Sequence, residues 1–447
     1  MKILENKLIK PGEPAVVVGS GRSGIGAARL LHLAGAKVRV LDKKSAFSEE
    51  FKAEAAERGF ELLGGEHKPE QFADAALVVP SPGVPIAVLE PLLEAAGGSK
   101  GRPEWISELE LAARFAVERI IAVTGTSGKT TTVGIAAAMC EEAGKKVFLG
   151  GNIGTPLSEY IVNREKIGEQ ADILVLEVSS FQLQGIRNFH PEVGVLLNLS
   201  ENHLDQHKDM AEYREAKFSL FKNQCAADLA VFGESLAEEA GKRNFRAAVD
   251  FFRDTGNFTK TRLLGQHNRL NMEAAFLAVR HFGVSLEAAR RAAEKFAPLP
   301  NRLESVAEIK GVFYVNDSKC TTVEALRAAL AGFEKPVLLL AGGVFKGGDL
   351  PSLAPLLEKN VKAVGLYGAS RAIFEKAWKN SVPVSWDATM AEAFARLRKQ
   401  AVPGDTLLLS PATSSFDQYT DYKERGADFR GLVSALMPGC LETGLEG

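Results

Sequence analysis

The chain has 447 residues, of which 46% are hydrophobic and 25% are charged, and its formal net charge is −2. A chain of this size can bury the cores of about two to four domains. The balanced charge argues against nucleic-acid binding. No signal-peptide core precedes residue 11, and no apolar run approaches the roughly 20 residues that span a bilayer. Because four cysteines lie far apart without metal-ligand spacing, we expect free thiols in a soluble, cytoplasmic protein.

Strand-like apolar runs alternate with helical patterns along the whole chain and predict an α/β protein. Three segments carry this rhythm, and we place their limits at residues 1–112, 113–298 and 299–447. The last limit falls near a Pro-Leu-Pro sequence, which is typical of a hinge.

A glycine-rich turn follows the first predicted strand, over residues 15–18, as Gly19-x-Gly21-x-x-Gly24, and Asp42 ends the next strand. This spacing is typical of a diphosphate bound at a helix N-terminus, with the carboxylate on a ribose or base. It fits a nicotinamide or flavin dinucleotide as well as a nucleotide-diphosphate sugar. An oxidoreductase therefore remains an alternative at this point.

The second segment contains a phosphate-loop motif. Residues 124–132 read TGTSGKTTT after the apolar run 120–123, although the full consensus has glycine where this chain has Val123. Glycines let backbone N–H groups approach phosphate oxygens, Lys129 adds a positive charge, and the Thr130 hydroxyl can hold Mg²⁺. The motif predicts ATP binding, in an enzyme or in a non-catalytic nucleotide-binding regulator.

Two side chains follow neighbouring predicted strands of this segment. Glu177 ends the strand predicted over 173–176, and His203 follows the strand predicted over 193–199. Since the carboxyl ends of parallel strands line a ligand crevice, Glu177 should face the phosphate loop and bind Mg²⁺, or else cap the next helix. Histidine is an uncommon Mg²⁺ ligand. By pattern alone, Lys217 is only a polar residue of an amphipathic helix.

Short motifs recur from one end of the chain to the other. They are Ser81-Pro82-Gly83, residues 124–130 (TGTSGKT), Gly151-Asn152-Ile153-Gly154, residues 177–183 (EVSSFQL), Gly265-Gln266-His267-Asn268 with Asn271, Arg302-Leu303-Glu304, Asn316-Asp317-Ser318-Lys319, and residues 409–412 (LSPA) and 415–419 (SFDQY). In this number and order they resemble the Mur ligases of peptidoglycan synthesis. The resemblance covers almost the whole chain.

The resemblance implies a Rossmann-like N-terminal domain that binds UDP, a central P-loop-type mononucleotide-binding domain that binds ATP, and a Rossmann-like C-terminal domain that binds an amino acid. It implies an ATP-dependent amide ligase that acts on UDP-N-acetylmuramoyl-L-alanine through an acyl phosphate. Residues 415–418 (SFDQ) favour D-glutamate as the added amino acid, and no Asp-Asn-Pro-Arg motif supports diaminopimelate. L-alanine, D-alanyl-D-alanine and, more distantly, folate polyglutamylation remain alternatives. We expect a monomer that inserts into no membrane.

Individual roles follow from the same resemblance. ATP would contact Thr126, Ser127, Gly128, Lys129, Thr130, Thr131, Thr132, Asn268 and Asn271, with Arg302, Asp317 and Lys319 closing on the nucleotide. Two Mg²⁺ ions would be held by Thr130, Glu177, His203 and Lys217, the last as a carboxylated lysine, and Lys129, Glu177, His203 and Lys217 would be the catalytic set. The UDP-sugar would contact Gly21, Asp42, Lys44, Gly83, Asn152, Ser179, Gln182 and His203. D-glutamate would contact Thr321, Lys346, Ser415, Phe416 and Tyr422.

Four places depart from the family pattern. Ser127 and Asn202 stand where Asn and Asp are common, Asn301 replaces a usual His, and Val344-Phe345 occupy a turn that typically contains Asp. These departures bear on local contacts and not on the expected reaction.

Overall fold

Three mainly parallel β-sheets, one in each predicted segment, organise the part of the chain that the structure describes. The structure is a computed structural model, which describes residues 8–44, 47–97, 101–200, 207–261, 263, 265–297, 300–331, 333 and 336–437. The sheets confirm the predicted α/β class. The chain forms two compact units, Met1–Phe258 with Leu270–Ala293 and Thr259–Arg269 with Glu294–Gly447. The domain limits remain predictions.

The first sheet lies in the first unit. Its elements are β1 (Pro14–Val18), α1 (Arg22–Leu33), β2 (Lys37–Asp42), α2 (Glu49–Arg58), β3 (Glu61–Gly64), β4 (Leu77–Pro80), α3 (Ile86–Ala96), β5 (Glu104–Trp105) and α4 (Glu108–Ala113). Within the described residues the strand order is β3-β2-β1-β4-β5, and each pairing is parallel. Central β1 is apolar and buried from Ala15 to Val18, as expected of a strand covered on both faces.

The second sheet also lies in the first unit. Its elements are β6 (Arg119–Thr124), α5 (Lys129–Glu142), β7 (Val147–Gly151), α6 (Leu157–Ile167), β8 (Ile173–Glu177), α7 (Ser180–Gln184), β9 (Val193–Leu196), α8 (Met210–Phe218), β10 (Leu229–Gly233), α9 (Ala237–Gly241) and β11 (Ala248–Phe252). The next helices are α10 (Gln266–Arg280) and α11 (Leu286–Lys295), of which residues 270–280 and 286–293 belong to the first unit. Over the described residues the parallel order is β11-β10-β9-β6-β8-β7. The chain therefore turns to opposite sides of β6, which places a ligand crevice at the carboxyl end of this strand.

The first two sheets share one hydrophobic core, to which residues as far apart as Val17 and Leu176 belong. Polar contacts between their helices add to this packing. Arg29 Nη1 on α1 lies 2.9 Å from Glu159 Oε2 on α6, and Glu108 Oε1 on α4 accepts a 2.7 Å hydrogen bond from the Ser158 N–H. The two sheets thus belong to a single packed body.

The third sheet belongs to the second unit. Its elements are β12 (Glu304–Ile309), β13 (Val312–Asn316), α12 (Val323–Ala331), β14 (Val337–Gly342), α13 (Ala354–Asn360), β15 (Val361–Tyr367), α14 (Arg371–Trp378), β16 (Val384–Asp387), α15 (Met390–Arg398), β17 (Thr406–Leu409) and α16 (Tyr422–Ser434). In the described part of this unit the order is β12-β13-β17-β14-β15-β16, with β12 antiparallel to β13 and the remaining pairs parallel. None of the helices described in either unit combines the length and apolar character that a membrane crossing requires.

Candidate nucleotide and metal site

The phosphate loop connects the end of β6 at Thr124 to the start of α5 at Lys129. Gly125 and Gly128 have φ angles of +150° and +83°, which L-residues with side chains rarely adopt. A Cβ atom at Gly128 would also lie 2.6 Å from Asn271 Oδ1. Both glycines are therefore required by the backbone, and Asn271 lies directly against the loop.

Asn198, just beyond β9, holds the loop in place. Its Oδ1 accepts a 2.9 Å hydrogen bond from the Ser127 N–H, its Nδ2 donates to the Ser127 carbonyl at 3.2 Å, and its own carbonyl accepts from the Thr126 N–H at 3.1 Å. Sequence reasoning assigned no role to Asn198. The signal was available, because an amide side chain at the end of a strand next to β6 falls beside the loop.

Two lysines converge on one loop carbonyl. Lys129 Nζ donates to the Gly125 carbonyl at 2.8 Å, and Lys217 Nζ donates to the same oxygen at 3.0 Å and to Thr124 Oγ1 at 3.2 Å. Lys217 is only 2% exposed. Burial, reinforced by the charge of Lys129 and opposed by Glu177, holds the pKa of Lys217 well below its usual value. Lys217 is thus a buried amine biased toward its neutral form.

Glu177, at the end of β8, lies beside the first turn of α5. Its Oε2 accepts a 2.6 Å hydrogen bond from Thr130 Oγ1, and its Oε1 accepts one of 2.9 Å from Asn152 Nδ2. The carboxylate is almost fully buried. Ser179, and not Glu177, caps α7 by accepting from the Gln182 N–H, which contradicts the helix-cap alternative for Glu177. Hard oxygen donors of this kind fit Mg²⁺.

The remaining residues predicted for this site occur in several parts of the chain. Asn202 and His203 lie outside the described residues. Asn268 is buried but belongs to the second unit, whereas Asn271 belongs to the first. Thr131 and Thr132 lie in the first turns of α5 and are buried. The ligand roles of all these residues stay predictions.

The glycine turn after β1 is equally constrained. A Cβ atom at Gly24 would lie 1.8 Å from the Gly19 carbonyl oxygen. The Asp42 carboxylate accepts hydrogen bonds from the Ser20 N–H at 2.7 Å, from Ser20 Oγ at 2.6 Å and from the Lys44 N–H at 2.9 Å. Burial alone would raise the pKa of Asp42, but these bonds outweigh it and lower the pKa. Asp42 is therefore an ionised carboxylate tied to the turn.

Between the first two sheets, a cavity is lined by residues that include Ser81, Pro82 and Gln182. Gln182 Oε1 accepts from Ser179 N and Oγ, each at 3.0 Å, but within the described structure its buried Nε2 has no hydrogen-bond partner. An unpaired buried amide group is costly unless a ligand completes it. The exposed Gly83 adjoins this cavity in sequence, and Gly21 is the N-cap of α1.

In the second unit, Asp317 is buried at the end of β13. Burial raises the pKa of Asp317 to about 7, against the opposing effects of hydrogen bonds from Ser410 Oγ at 2.8 Å and the Leu303 N–H at 3.3 Å and of the Arg302 charge. Lys319 Nζ lies 5.3 Å from the centre of the Tyr422 ring. The Asp317 carboxyl group therefore changes charge near neutral pH.

The loops after β14 and β17 are joined by backbone hydrogen bonds between Val344 and Ser414, of 2.9 and 3.1 Å. This pairing brings Lys346 next to the predicted D-glutamate residues of the second loop. Lys346 Nζ lies 5.2 Å from the centre of the Phe416 ring, which is 67% exposed, and Ser415 is buried. Thr321 is half-buried just before α12. The pairing uses only the backbone of Val344, so nothing in the structure explains the departure at this position.

The fold and this site define a multidomain α/β protein built around a nucleotide-phosphate loop. Three family models match the chain: a Mur ligase MurD-like N-terminal domain over residues 13–100, a Mur ligase middle domain over 123–251, and a Mur ligase glutamate ligase domain over 301–413. The chain belongs to the Mur ligase family. Enzymes of this family use ATP and Mg²⁺.

Several curated proteins resemble this chain over nearly their whole length. A UDP-N-acetylmuramoylalanine–D-glutamate ligase of Oleidesulfovibrio alaskensis is 54% identical over 96% of this chain and 95% of its own length. The protein of the same name from Lawsonia intracellularis is 49% identical over 94% of both chains. A MurF ligase structure from Thermotoga maritima in complex with ADP is 16% identical, with a TM-score of 0.61 over 97% of this chain and 99% of that one, and it shows the shared fold.

Proposed function

We propose that this chain is an ATP-dependent amide ligase that adds D-glutamate to UDP-N-acetylmuramoyl-L-alanine during peptidoglycan precursor synthesis. The observation that carries the proposal is the site at the carboxyl edge of the second sheet, where a lysine-containing phosphate loop adjoins the buried Glu177 and Lys217. The names and near-complete coverage of the curated relatives support the choice of substrates.

The reaction requires activation because a carboxylate is a poor electrophile toward an amine. The terminal phosphoryl group of ATP passes to the L-alanyl carboxylate, which forms an acyl phosphate and releases ADP. The D-glutamate amine then attacks the carbonyl carbon, and the tetrahedral intermediate collapses to an amide and inorganic phosphate. The first step brings two anions, the triphosphate and the carboxylate, within bonding distance, so positive charge at the phosphate loop is essential.

Lys129 is positioned to supply part of that charge. Its ammonium group donates to carbonyl oxygens of its own loop, at 2.8 and 3.0 Å, and can exchange these acceptors for phosphate oxygens. Thr130 and Glu177 would hold a Mg²⁺ ion, which, when bound, neutralises phosphate charge. The neighbouring Asn152 orients the Glu177 carboxylate.

Lys217 suits the proposed carboxylation, because only a neutral amine attacks CO₂ to form a carbamate. Burial and the nearby Lys129 favour that neutral form. The new bond between Nζ and the CO₂ carbon would release one proton and leave an anionic carbamate in place of the neutral amine. Together with Glu177, this carbamate would provide oxygen donors for the second of two metal ions. His203 completes the proposed set of metal ligands.

Residues outside the phosphate loop would bind the other two substrates. The glycine turn with Asp42 would hold UDP, the unpaired Gln182 amide would bind the sugar–peptide arm, and Lys346 with Ser415 would bind D-glutamate carboxylates. The proposal includes a cytoplasmic monomer. The free thiols Cys140, Cys225 and Cys320 are consistent with a reducing compartment.

Phosphate release from ATP, in the presence of UDP-N-acetylmuramoyl-L-alanine and one amino acid at a time, tests the proposal. We expect turnover with D-glutamate and none with L-glutamate, L-alanine or diaminopimelate. Lys129→Met should abolish turnover, while Lys145→Met, beyond the end of α5 that is remote from the loop, should retain it. Turnover with a different amino acid would reject the D-glutamate assignment. If none of the four amino acids supported phosphate release, or if the protein bound NAD(H) tightly, the proposed ligase activity would be rejected.

A further inference from the structure

A second cluster of potential metal ligands lies at the opposite edge of the second sheet. His190, Cys225 and Asp228 each offer one ligand atom, and these three atoms lie within 4.8 Å of one another. His190 precedes β9 and Asp228 immediately precedes β10, so the cluster sits at the amino ends of strands whose carboxyl ends face the phosphate loop. One strand of five residues, roughly 16 Å long, separates the two edges.

Local hydrogen bonds bring the three side chains together. The Asp228 N–H donates to the Cys225 carbonyl at 3.1 Å, and the Cys225 N–H donates to Asp228 Oδ2 at 2.6 Å, which closes a tight turn. The same Oδ2 lies 2.6 Å from His190 Nε2. In the parallel register Leu229 pairs with Val193, and this pairing sets the turn beside the His190 loop.

We propose that His190 Nε2, Cys225 Sγ and Asp228 Oδ2 form a binding site for a divalent transition metal of the zinc class. Imidazole and thiolate ligands select Zn²⁺ or Co²⁺ over Mg²⁺. Tetrahedral ligands around Zn²⁺ are roughly 3.3–3.8 Å apart, so the present spacing needs only a small widening of the His–Asp pair and a small inward turn of the sulfur.

The environment of the three groups agrees with this use. Asp228 is 4% exposed, and its Oδ2 is held by the Cys225 N–H at 2.6 Å and by His190 Nε2 at 2.6 Å, which fixes the carboxylate toward the other two groups. The His190 side chain is 44% exposed and lines a cavity of about 270 Å³ with Asn188 and Glu192. Because His190 is accessible to solvent, a water molecule could supply the remaining ligand of a bound ion. A bound ion would link the loops that precede β9 and β10.

Titration of the metal-free full-length protein with Co²⁺ tests the site. We expect one tight Co²⁺ per chain, with thiolate-to-cobalt charge-transfer absorption that excess Mg²⁺ does not remove and that Zn²⁺ displaces. Cys225→Ser should eliminate the absorption, and His190→Ala, at an exposed position, should weaken binding roughly tenfold or more. Cys140→Ala and His281→Ala, which lie outside the cluster, should bind as the parent does.

A second readout separates binding from folding. Zn²⁺ should raise the Tm of the parent by mass action and leave the Tm of Cys225→Ser unchanged. Absence of the charge-transfer band in the parent, or its persistence in Cys225→Ser, would show that His190 and Asp228 form a hydrogen-bonded pair only. Loss of the band in Cys140→Ala with retention in Cys225→Ser would likewise overturn the assignment.

Discussion

Thr130 Oγ1 donates a 2.6 Å hydrogen bond to Glu177 Oε2, although 47 positions separate the two residues in sequence. The contact exists because β6 and β8 pair in parallel register, with Val123 opposite Glu177. The strand register thereby brings the hydroxyl of the phosphate loop to the carboxylate at the end of β8. The metal-binding role that we propose for this pair is directly testable.

Glu177→Gln should reduce kcat/KM on the order of 100-fold, because it keeps the side-chain shape but removes the charge that would hold Mg²⁺. The Mg²⁺ dependence of ATP binding, measured by calorimetry, should weaken while metal-free nucleotide binding changes little. Glu192→Gln, a carboxylate at the opposite edge of the sheet, is the matched control. Equal Mg²⁺ dependence in parent and Glu177→Gln would refute the metal role.

Gly128→Ala should destabilise the protein by about 1–3 kcal/mol and abolish nucleotide binding, because it combines a φ of +83° with a Cβ 2.6 Å from Asn271 Oδ1. Gly144→Ala is a sharp control, since its φ is +78° but no atom lies within 4 Å of the added Cβ. Thermal unfolding should show the backbone cost in both variants, and a nucleotide titration should show the binding loss only in Gly128→Ala. If Gly144→Ala impaired nucleotide binding equally, the local clash would not be the cause.

Lys217→Met should reduce the increase in protein stability that accompanies a rise from neutral to alkaline pH. Because burial lowers the pKa of Lys217 in the folded state, the unfolded chain binds the extra proton below the usual pKa of 10.5. The resulting destabilisation is absent above that pH, grows as the pH falls, and levels off below the folded pKa. The Met variant should therefore lose part of the rise in Tm between neutral and alkaline pH, together with catalysis. Lys145→Met should show the same dependence of Tm on pH as the parent. If Lys217→Met also showed the parent's dependence of Tm on pH, the buried-amine interpretation would be contradicted.

Asp317→Asn should have the opposite pH signature. The folded pKa of Asp317 is raised from 3.8 to about 7, so the parent loses stability as the pH rises through this window and then remains at the lower level. Relative to the parent, the Asn variant should gain stability between pH 4 and 7 and keep the gain above it, as measured by urea unfolding at several pH values. Asp387→Asn is the control, since hydrogen bonding to Arg396 lowers the pKa of Asp387 and its contribution disappears only in acid. A flat difference between parent and Asp317→Asn would refute the shift.

Lys346→Met should raise the KM for D-glutamate at least tenfold and leave the KM for ATP nearly unchanged, because its ammonium group, 5.2 Å from the Phe416 ring centre, is proposed to meet a substrate carboxylate. Lys376→Met, on α14 in the same unit, should change neither constant. If Lys346→Met raised only the KM for ATP, Lys346 would instead be assigned to nucleotide binding.

The sequence predicted what is local and could not predict what depends on long-range pairing. The phosphate loop and Glu177 were recognisable because each directly follows an apolar strand. Short β5 has two residues and left no periodic signal. The unpaired Nε2 of Gln182 and the approach of His190 to Asp228, which are 38 positions apart, follow from packing between distant segments. His203, which the resemblance singled out, lies outside the described residues, so its role remains a prediction.

The carbonyl oxygen of Gly125 accepts from both Lys129 and Lys217, so in the proposed site the protonation of Lys217 would depend on nucleotide occupancy. When phosphate oxygens draw Lys129 away, Lys217 keeps the carbonyl for itself and loses a neighbouring positive charge. Its basicity must then increase. By thermodynamic reciprocity, if a bound nucleotide changes the equilibrium constant for modification of Lys217 by a given factor, the modification changes nucleotide affinity by that same factor. One backbone oxygen thus makes the chemical state of a buried amine and the filling of the phosphate loop a single linked equilibrium.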